Sequence, residues 1–229
     1  MKLYIGNKNY SSWSMRSGVM LAAFGIPYDE VKLRLDFSPG STFAATLKAA
    51  GGVGQVPLLV DDDGFAVWDT LAIAETIAER HPEHAIWPRD ARARARARSL
   101  TAEMHAGFGR LRSLCPMNIE AYLPEVGARL MASERGLQRD LARIDALWSD
   151  ALMQSGGPFL FGEFGAVDAY FAPVVMRVTR FGLPLSATAA AYAAAVEKHP
   201  AVAAWVADAL AEHDFIADDE PYRPQVGTT

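Results

Sequence analysis

Cysteine is nearly missing from this chain: Cys115 is the only one in 229 residues, so no internal disulfide can form and nothing requires an oxidising compartment. Long apolar runs are missing as well. Nowhere do about 18 apolar residues follow one another, so no membrane span is expected. The apolar opening from Met1 to Gly6 is too short for a signal peptide and gives way at once to polar residues, which makes a cytoplasmic protein the expectation. There is no basic excess either. With 27 acidic residues against 22 basic, the net charge of -5 offers no field for phosphate backbones, and nucleic acid is not an expected partner. No internal repeat is visible.

What is present is the composition of a globular protein, 51% hydrophobic and 21% charged, with length enough for one large domain or two modest ones. Leu3 to Ile5 read as a buried strand, followed by a polar loop and a helix carrying Met15, Val19, Leu21 and Ala22, with Gly25 as its C-terminal stop. The alternation Val31, Leu33, Leu35 predicts a second strand, parallel to the first. A short helix spans Phe43 to Ala50, and a third strand Val56 to Val60. Asp61-Asp62-Asp63-Gly64 turns the chain into a fourth strand, Phe65 to Trp68. Asp69-Thr70 caps a helix that runs to about Arg80.

The order β-α-β-α-β-β-α describes an α/β thioredoxin-like domain over residues 1–80. His81-Pro82 and Trp87-Pro88 bracket a linker, 81–89, because a residue before proline is pushed out of helical geometry. Residues 90–229 form an all-α domain, with breaks expected at Cys115-Pro116, Gly156-Gly157-Pro158, Gly182-Leu183-Pro184 and His199-Pro200. Glu220 to Thr229 reads as a polar, loosely held tail. Arg92, Arg94, Arg96 and Arg98 alternate at a spacing that forms no single stripe on a helix, so they are assigned to a solvated face or a dimer contact.

The chemistry begins with Gln55-Val56-Pro57. A proline at the head of a strand cannot donate to the ladder, and a cis Val56–Pro57 peptide that turns the Val56 backbone toward a ligand accounts for it. Just downstream, the free N–H groups and the positive dipole end at Asp69-Thr70 suit a carboxylate; Thr70 adds a hydroxyl donor, and Asp69 can pair with an ammonium. Such a pair grips the head of an α-amino acid. The loop from Tyr10 to Arg16 holds Ser11, Ser12 and Ser14 just ahead of a helix, where hydroxyls can donate to a thiolate that the dipole also favours.

This strand–Gln-Val-Pro–hairpin–acid–hydroxyl–helix pattern resembles the glutathione site of the cytosolic glutathione transferases, and the resemblance covers essentially the whole chain. It implies the glutathione transferase fold, a thioredoxin-like domain followed by the all-α domain, and glutathione as co-substrate. Val56 then pairs its backbone with the cysteinyl part of glutathione, beside Gln55 and Pro57, while Asp69 and Thr70 hold the γ-glutamyl end. The serine loop is similar to that of serine-type transferases, the zeta class in particular. There Ser11 faces the sulfur, Ser12 adds to the glutathione site, and Tyr10 is the alternative to Ser11. Trp13 stands where the zeta signature has cysteine. With no cysteine in the loop, conjugation of the thiolate to a small electrophile is the expected activity. The alternatives are a glutathione-dependent isomerase like maleylacetoacetate isomerase, or a binding protein that reuses the fold.

The same resemblance implies further roles in the helical domain. Met104, Phe108, Leu111 and Cys115 recur at helical spacing as a core stripe. In the family the first long helix of this domain also touches the electrophile. Met104, His105, Phe108 and Arg112 are therefore expected at the electrophile pocket. Arg180, followed by Phe181, stands at the offset from Asp168 where the zeta class carries an Arg-Phe facing an anionic substrate, and joins them. Gly165 and Asp168 form a helix-capping pair of structural purpose. No metal is expected, and a homodimer is.

Overall fold

The computed structural model describes residues 1–223, and residues 224–229, the end of the expected tail, lie outside them. The elements run β1 (Lys2–Ile5), α1 (Ser12–Ala23), β2 (Asp29–Lys32), α2 (Thr42–Ala49), β3 (Leu58–Val60), β4 (Ala66–Val67) and α3 (Thr70–Arg80). The helical part follows as α4 (Ala91–Ala106), α5 (Gly109–Leu114), α6 (Pro124–Ser133), α7 (Arg135–Ser155), α8 (Ala166–Arg180), α9 (Ala187–Lys198) and α10 (Pro200–Glu212). A single 3-10 turn covers Ala217–Asp219.

The sheet order is β2-β1-β3-β4, with β1 parallel to β2 and antiparallel to β3, and β3 antiparallel to β4. Side chains alternate across it, as the two-residue period of a strand demands. Leu3, Ile5 and Leu59 face the main core shared with the helices. Leu58 and Val60 face a smaller cluster with Phe43 and Leu47 of α2.

The second strand is not where the Val31, Leu33, Leu35 alternation put it. It spans Asp29–Lys32 at the edge of the sheet, mostly exposed, and stops there because its one partner among the described residues, β1, ends at Ile5. Past that point the ladder has no backbone to continue on. The Leu35 N–H donates to the Asn7 side-chain oxygen at 2.8 Å instead.

Helix α1 sits at the centre. It packs against α8, α10, α3 and β1, and nine of its twelve residues are buried, Ser12 and Arg16 among them. Close approach to α10 rests on one missing atom. A Cβ on Gly18 would lie 2.3 Å from the Trp205 ring. Trp205 in turn donates its indole N–H to the Lys8 carbonyl at 3.1 Å. In α8, Asp168 accepts the N–H groups of Gly165 at 2.9 Å and Leu160 at 3.1 Å and the Tyr192 hydroxyl at 2.9 Å. The capping role read from sequence is thereby extended to a buried three-way junction.

The stripe Met104, Phe108, Leu111, Cys115 does not lie on one helix. Helix α4 stops at Ala106, Gly107 is extended, and Phe108 takes a left-handed conformation with φ 55° before α5 begins. Asp140, from α7, accepts the N–H groups of Arg110 and Leu111 at 2.9 and 3.0 Å and so caps α5 from another helix.

The tail beginning at Glu220 is not loose where it is described. The segment from Asp214 to Tyr222 crosses between the two halves of the molecule. Asp214 accepts from Asn7 and Arg34, Ile216 enters the α2 cluster, Glu220 accepts the Tyr10 hydroxyl at 2.6 Å, and the Tyr222 hydroxyl reaches the Leu114 carbonyl at 2.7 Å.

Gly18→Ala is expected to cost about 1–3 kcal/mol of stability, since the new methyl must displace the Trp205 ring from a packed interface. Chemical denaturation checks this. A loss below about 0.5 kcal/mol would mean that α10 moves aside freely.

Candidate active site

Three chain segments converge on a cavity of about 430 Å³. The first is the start of α1 with Ser11, Ser12 and Trp13. The second is Gln55-Val56-Pro57, whose Val56–Pro57 peptide is cis, ahead of β3. The third is the start of α3, where the Asp69 carboxylate accepts the Leu71 N–H at 2.9 Å and caps the helix. Thr70 is buried, and its hydroxyl has no partner among the described residues. Every residue that sequence assigned to glutathione binding lines this one cavity.

The serines divide their work. Ser11 is the N-cap of α1: its oxygen accepts the Ser14 N–H at 3.3 Å, and its hydroxyl donates to Ser14 Oγ at 2.7 Å. Ser14 Oγ also accepts the Gly6 N–H at 3.0 Å. Ser12 caps nothing. Its oxygen accepts from Arg177 Nη2 at 3.2 Å. Tyr10 lines the same cavity, but its hydroxyl proton is committed to Glu220, and burial together with that carboxylate pushes the phenol well above its usual range.

Three guanidinium groups surround the α1 terminus. Arg16 and Arg112 lie over the Trp13 ring, 4.1 and 5.1 Å from its centre, and Arg177 reaches in from α8. Burial holds Arg16 and Arg177 down to about 10, and mutual repulsion with Arg112 adds to the shift. None of the three forms an ion pair among the described residues. Carboxylates are close by, with Asp69 and Asp219 on the cavity wall, yet Asp69 is taken by the α3 cap and by His105, whose Nε2 lies 3.1 Å away. His105 also meets the Trp13 ring edge-on at 5.1 Å. Burial lowers its pKa, with help from Arg16 and Arg112 and against the pull of Asp69.

Of the residues expected at the electrophile pocket, Arg112 lines the cavity and His105 backs it. Met104 and Phe108 do not line it, being buried in the main core at the end of α4 and the break that follows. Arg180 does not line it either. It sits in the last turn of α8, and the arginine that does enter is Arg177, three residues earlier. Sequence reasoning missed Arg177 because the offset from Asp168 pointed to Arg180. The available signal was a second arginine on the same helix, which an explicit placement of α8 against α1 would have selected. Cys115 lies behind this site, its thiol pushed up to about 12 by burial and so unreactive.

The site geometry agrees with what comparison with known proteins finds. Residues 10–80 match the family described as Glutathione S-transferase, N-terminal domain, and residues 90–208 the family described as Glutathione S-transferase, C-terminal domain. The chain belongs to the glutathione S-transferase family. The maleylacetoacetate isomerase of Pseudomonas aeruginosa is 28% identical over an alignment of 213 residues that covers 88% of this chain and 96% of that protein. A solved maleylacetoacetate isomerase from Methylobacterium extorquens AM1, with bound malonate and GSH, is 26% identical, covers 90% of this chain and 95% of its own, and has a TM-score of 0.62. The holo structure of a bacterial zeta-class maleyl pyruvate isomerase, 22% identical, covers 94% of this chain and 100% of its own with a TM-score of 0.67, a likeness of fold alone.

The chain is therefore a zeta-like member of the family, a glutathione-dependent enzyme. Its thioredoxin-like and helical parts are those expected from sequence. No helix among the described residues is long and apolar enough to cross a membrane.

Asp69→Ala is expected to weaken retention on immobilised glutathione by about 10- to 100-fold in affinity, the worth of one charged hydrogen bond. Arg180→Ala, outside the cavity, is expected to leave retention unchanged. Equilibrium binding of glutathione to both variants checks the contrast, and equal losses would misplace the site.

Proposed function

We propose that this protein is a glutathione-dependent isomerase of a small carboxylate-bearing alkene. The observation that carries the reading is the pair of guanidinium groups on the cavity wall, Arg112 and Arg177, with Arg16 stacked on Trp13 behind them, none of the three in an ion pair among the described residues. Buried charges of one sign are costly unless something compensates them, and an anionic substrate does so. The similarity to maleylacetoacetate isomerases over most of both chains supports the same choice, as does the malonate, a dicarboxylate, bound to the Methylobacterium relative.

In this reading Val56, with Gln55 and Pro57, holds the cysteinyl part of glutathione, and Asp69 and Thr70 its γ-glutamyl end. The thiolate adds to the carbon–carbon double bond of a cis enone, forming a C–S bond while the π electrons move to the carbonyl oxygen as an enolate. The former double bond is now single and rotates. Collapse of the enolate expels the thiolate and leaves the trans alkene, so glutathione is returned unchanged. Arg112 holds the substrate carboxylate, and the charge of Arg177 behind it helps to offset the negative charge of the enolate. Trp13 is a flat wall beside them.

A second reading, conjugation, is favoured by that same Trp13, which replaces the zeta cysteine and suits a planar electrophile. Conjugation was the leading expectation from sequence, and the arginine cluster reverses the order. A homodimer belongs to the proposal as a family trait. The exposed Phe65 and Trp68 of the β4 hairpin suit such a contact.

The test follows glutathione itself. With maleylacetoacetate as substrate, isomerisation leaves the free thiol concentration constant over many turnovers, whereas conjugation consumes one thiol per product. Arg112→Gln is expected to raise KM for the carboxylate substrate by about 10- to 100-fold with a smaller change in kcat. Stoichiometric thiol loss, or an unaffected KM, would reject the isomerase reading.

A further inference from the structure

The mechanism needs a hydroxyl to hold the thiolate, and the loop offers two that line the cavity, Ser11 and Ser12. Family resemblance selects the first. A hydroxyl has one proton to give, however, and in Ser11 it already goes to Ser14 Oγ at 2.7 Å. That acceptor is itself fixed by the Gly6 N–H, and the Ser11 oxygen is occupied as the α1 cap. Turning the Ser11 proton toward the cavity would break a buried hydrogen bond.

Ser12 has the opposite pattern. Its oxygen receives a hydrogen bond from Arg177, and its own proton has no acceptor among the described residues. It is the first residue of α1, so it stands at the positive end of the helix dipole, and it is 8% exposed. The backbone N–H of Trp13, next in the chain, likewise has no partner among the described residues. Two free donors thus lie side by side on the cavity wall, one of them polarised by a buried cation. A hydroxyl that accepts from a guanidinium becomes a stronger donor.

We propose that Ser12, oriented by Arg177, is the hydroxyl that donates to the glutathione thiolate, and that Ser11 serves as the cap of α1. Ser12 is then the catalytic residue and Arg177 a positioning residue. Arg177 is itself held by the carbonyls of Arg112 and Cys115, so its fork has a fixed direction. The inference rests on the reading that glutathione binds in this cavity, and the experiment separates the two.

The experiment titrates the thiol of enzyme-bound glutathione by the ultraviolet absorbance of the thiolate, with affinity measured separately by equilibrium dialysis. Wild type that fails to bind glutathione would sink the parent reading, before any serine is compared. Given binding, Ser12→Ala is expected to raise the bound thiol pKa by about one unit, a tenfold loss of thiolate below that pKa, with affinity within about twofold. Ser11→Ala is expected to lower stability and leave the pKa in place. Should Ser11→Ala not fold, Ser11→Gly keeps the cap at little cost and answers the same question.

Arg177→Lys keeps the charge but loses the planar fork. It is expected to raise the pKa in the wild-type background and to add little to Ser12→Ala, as coupling through one hydroxyl requires. A shift with Ser11→Ala, with or without one in Ser12→Ala, would overturn the proposal. So would two unshifted serine variants, which would leave the thiolate to backbone donors, or an Arg177→Lys effect that adds fully to that of Ser12→Ala.

Discussion

Everything in this structure depends on burying α1. Most globular helices keep one face in water, but this one is enclosed by β1, α3, α8 and α10, with residues as polar as Ser14, Arg16 and Ser17 inside. The reward for that enclosure is rigidity at its N-terminus. Ser11 and Ser12 are set by the helix, Arg177 is set by α8 packed along it, and the distance between them is fixed by the apolar contacts of Met15 and Val19 in the shared core. A surface helix would not fix two adjacent hydroxyls so differently, one on the helix cap and the other on Arg177.

The electrostatics run against stability and toward binding. Among the described residues, two buried nitrogens of Arg16 and one of Arg177 have no partner. Stacking on Trp13 and Tyr170 returns part of the desolvation cost of Arg16, roughly 0.5–2 kcal/mol per contact. An anionic substrate of the kind proposed above would offset the cost at Arg177 and so link ligand binding to stability.

Much of this was legible in the sequence. The β-α-β-α-β-β-α order followed from strand alternation and helix stops, and Asp69 and Asp168 were recognisable because caps are local chemistry between residues two or three apart. What escaped was non-local. The end of β2 is decided by where β1 turns away, the break at Gly107–Phe108 by a cap that Asp140 lends from α7, and the choice of Arg177 over Arg180 by the rotation of α8 against α1. None of these leaves a periodic trace in the chain. The start of the tail, Glu220 to Tyr222, was misread for a related reason: its composition is that of a tail, and only its partners, Tyr10 and Leu114, make it structure.

The Trp205 ring that fills the space over Gly18 is supplied nearly two hundred residues after the glycine that makes room for it. On the ribosome, α1 is therefore complete long before the surfaces that cover it exist. Its apolar face and its buried arginine stay uncovered while α8 and then α10 are still being synthesised. The thioredoxin-like half gains its full cover only once the helical half has been made. Over that interval the apolar face of α1 lacks the cover that α8 and α10 provide in the finished fold.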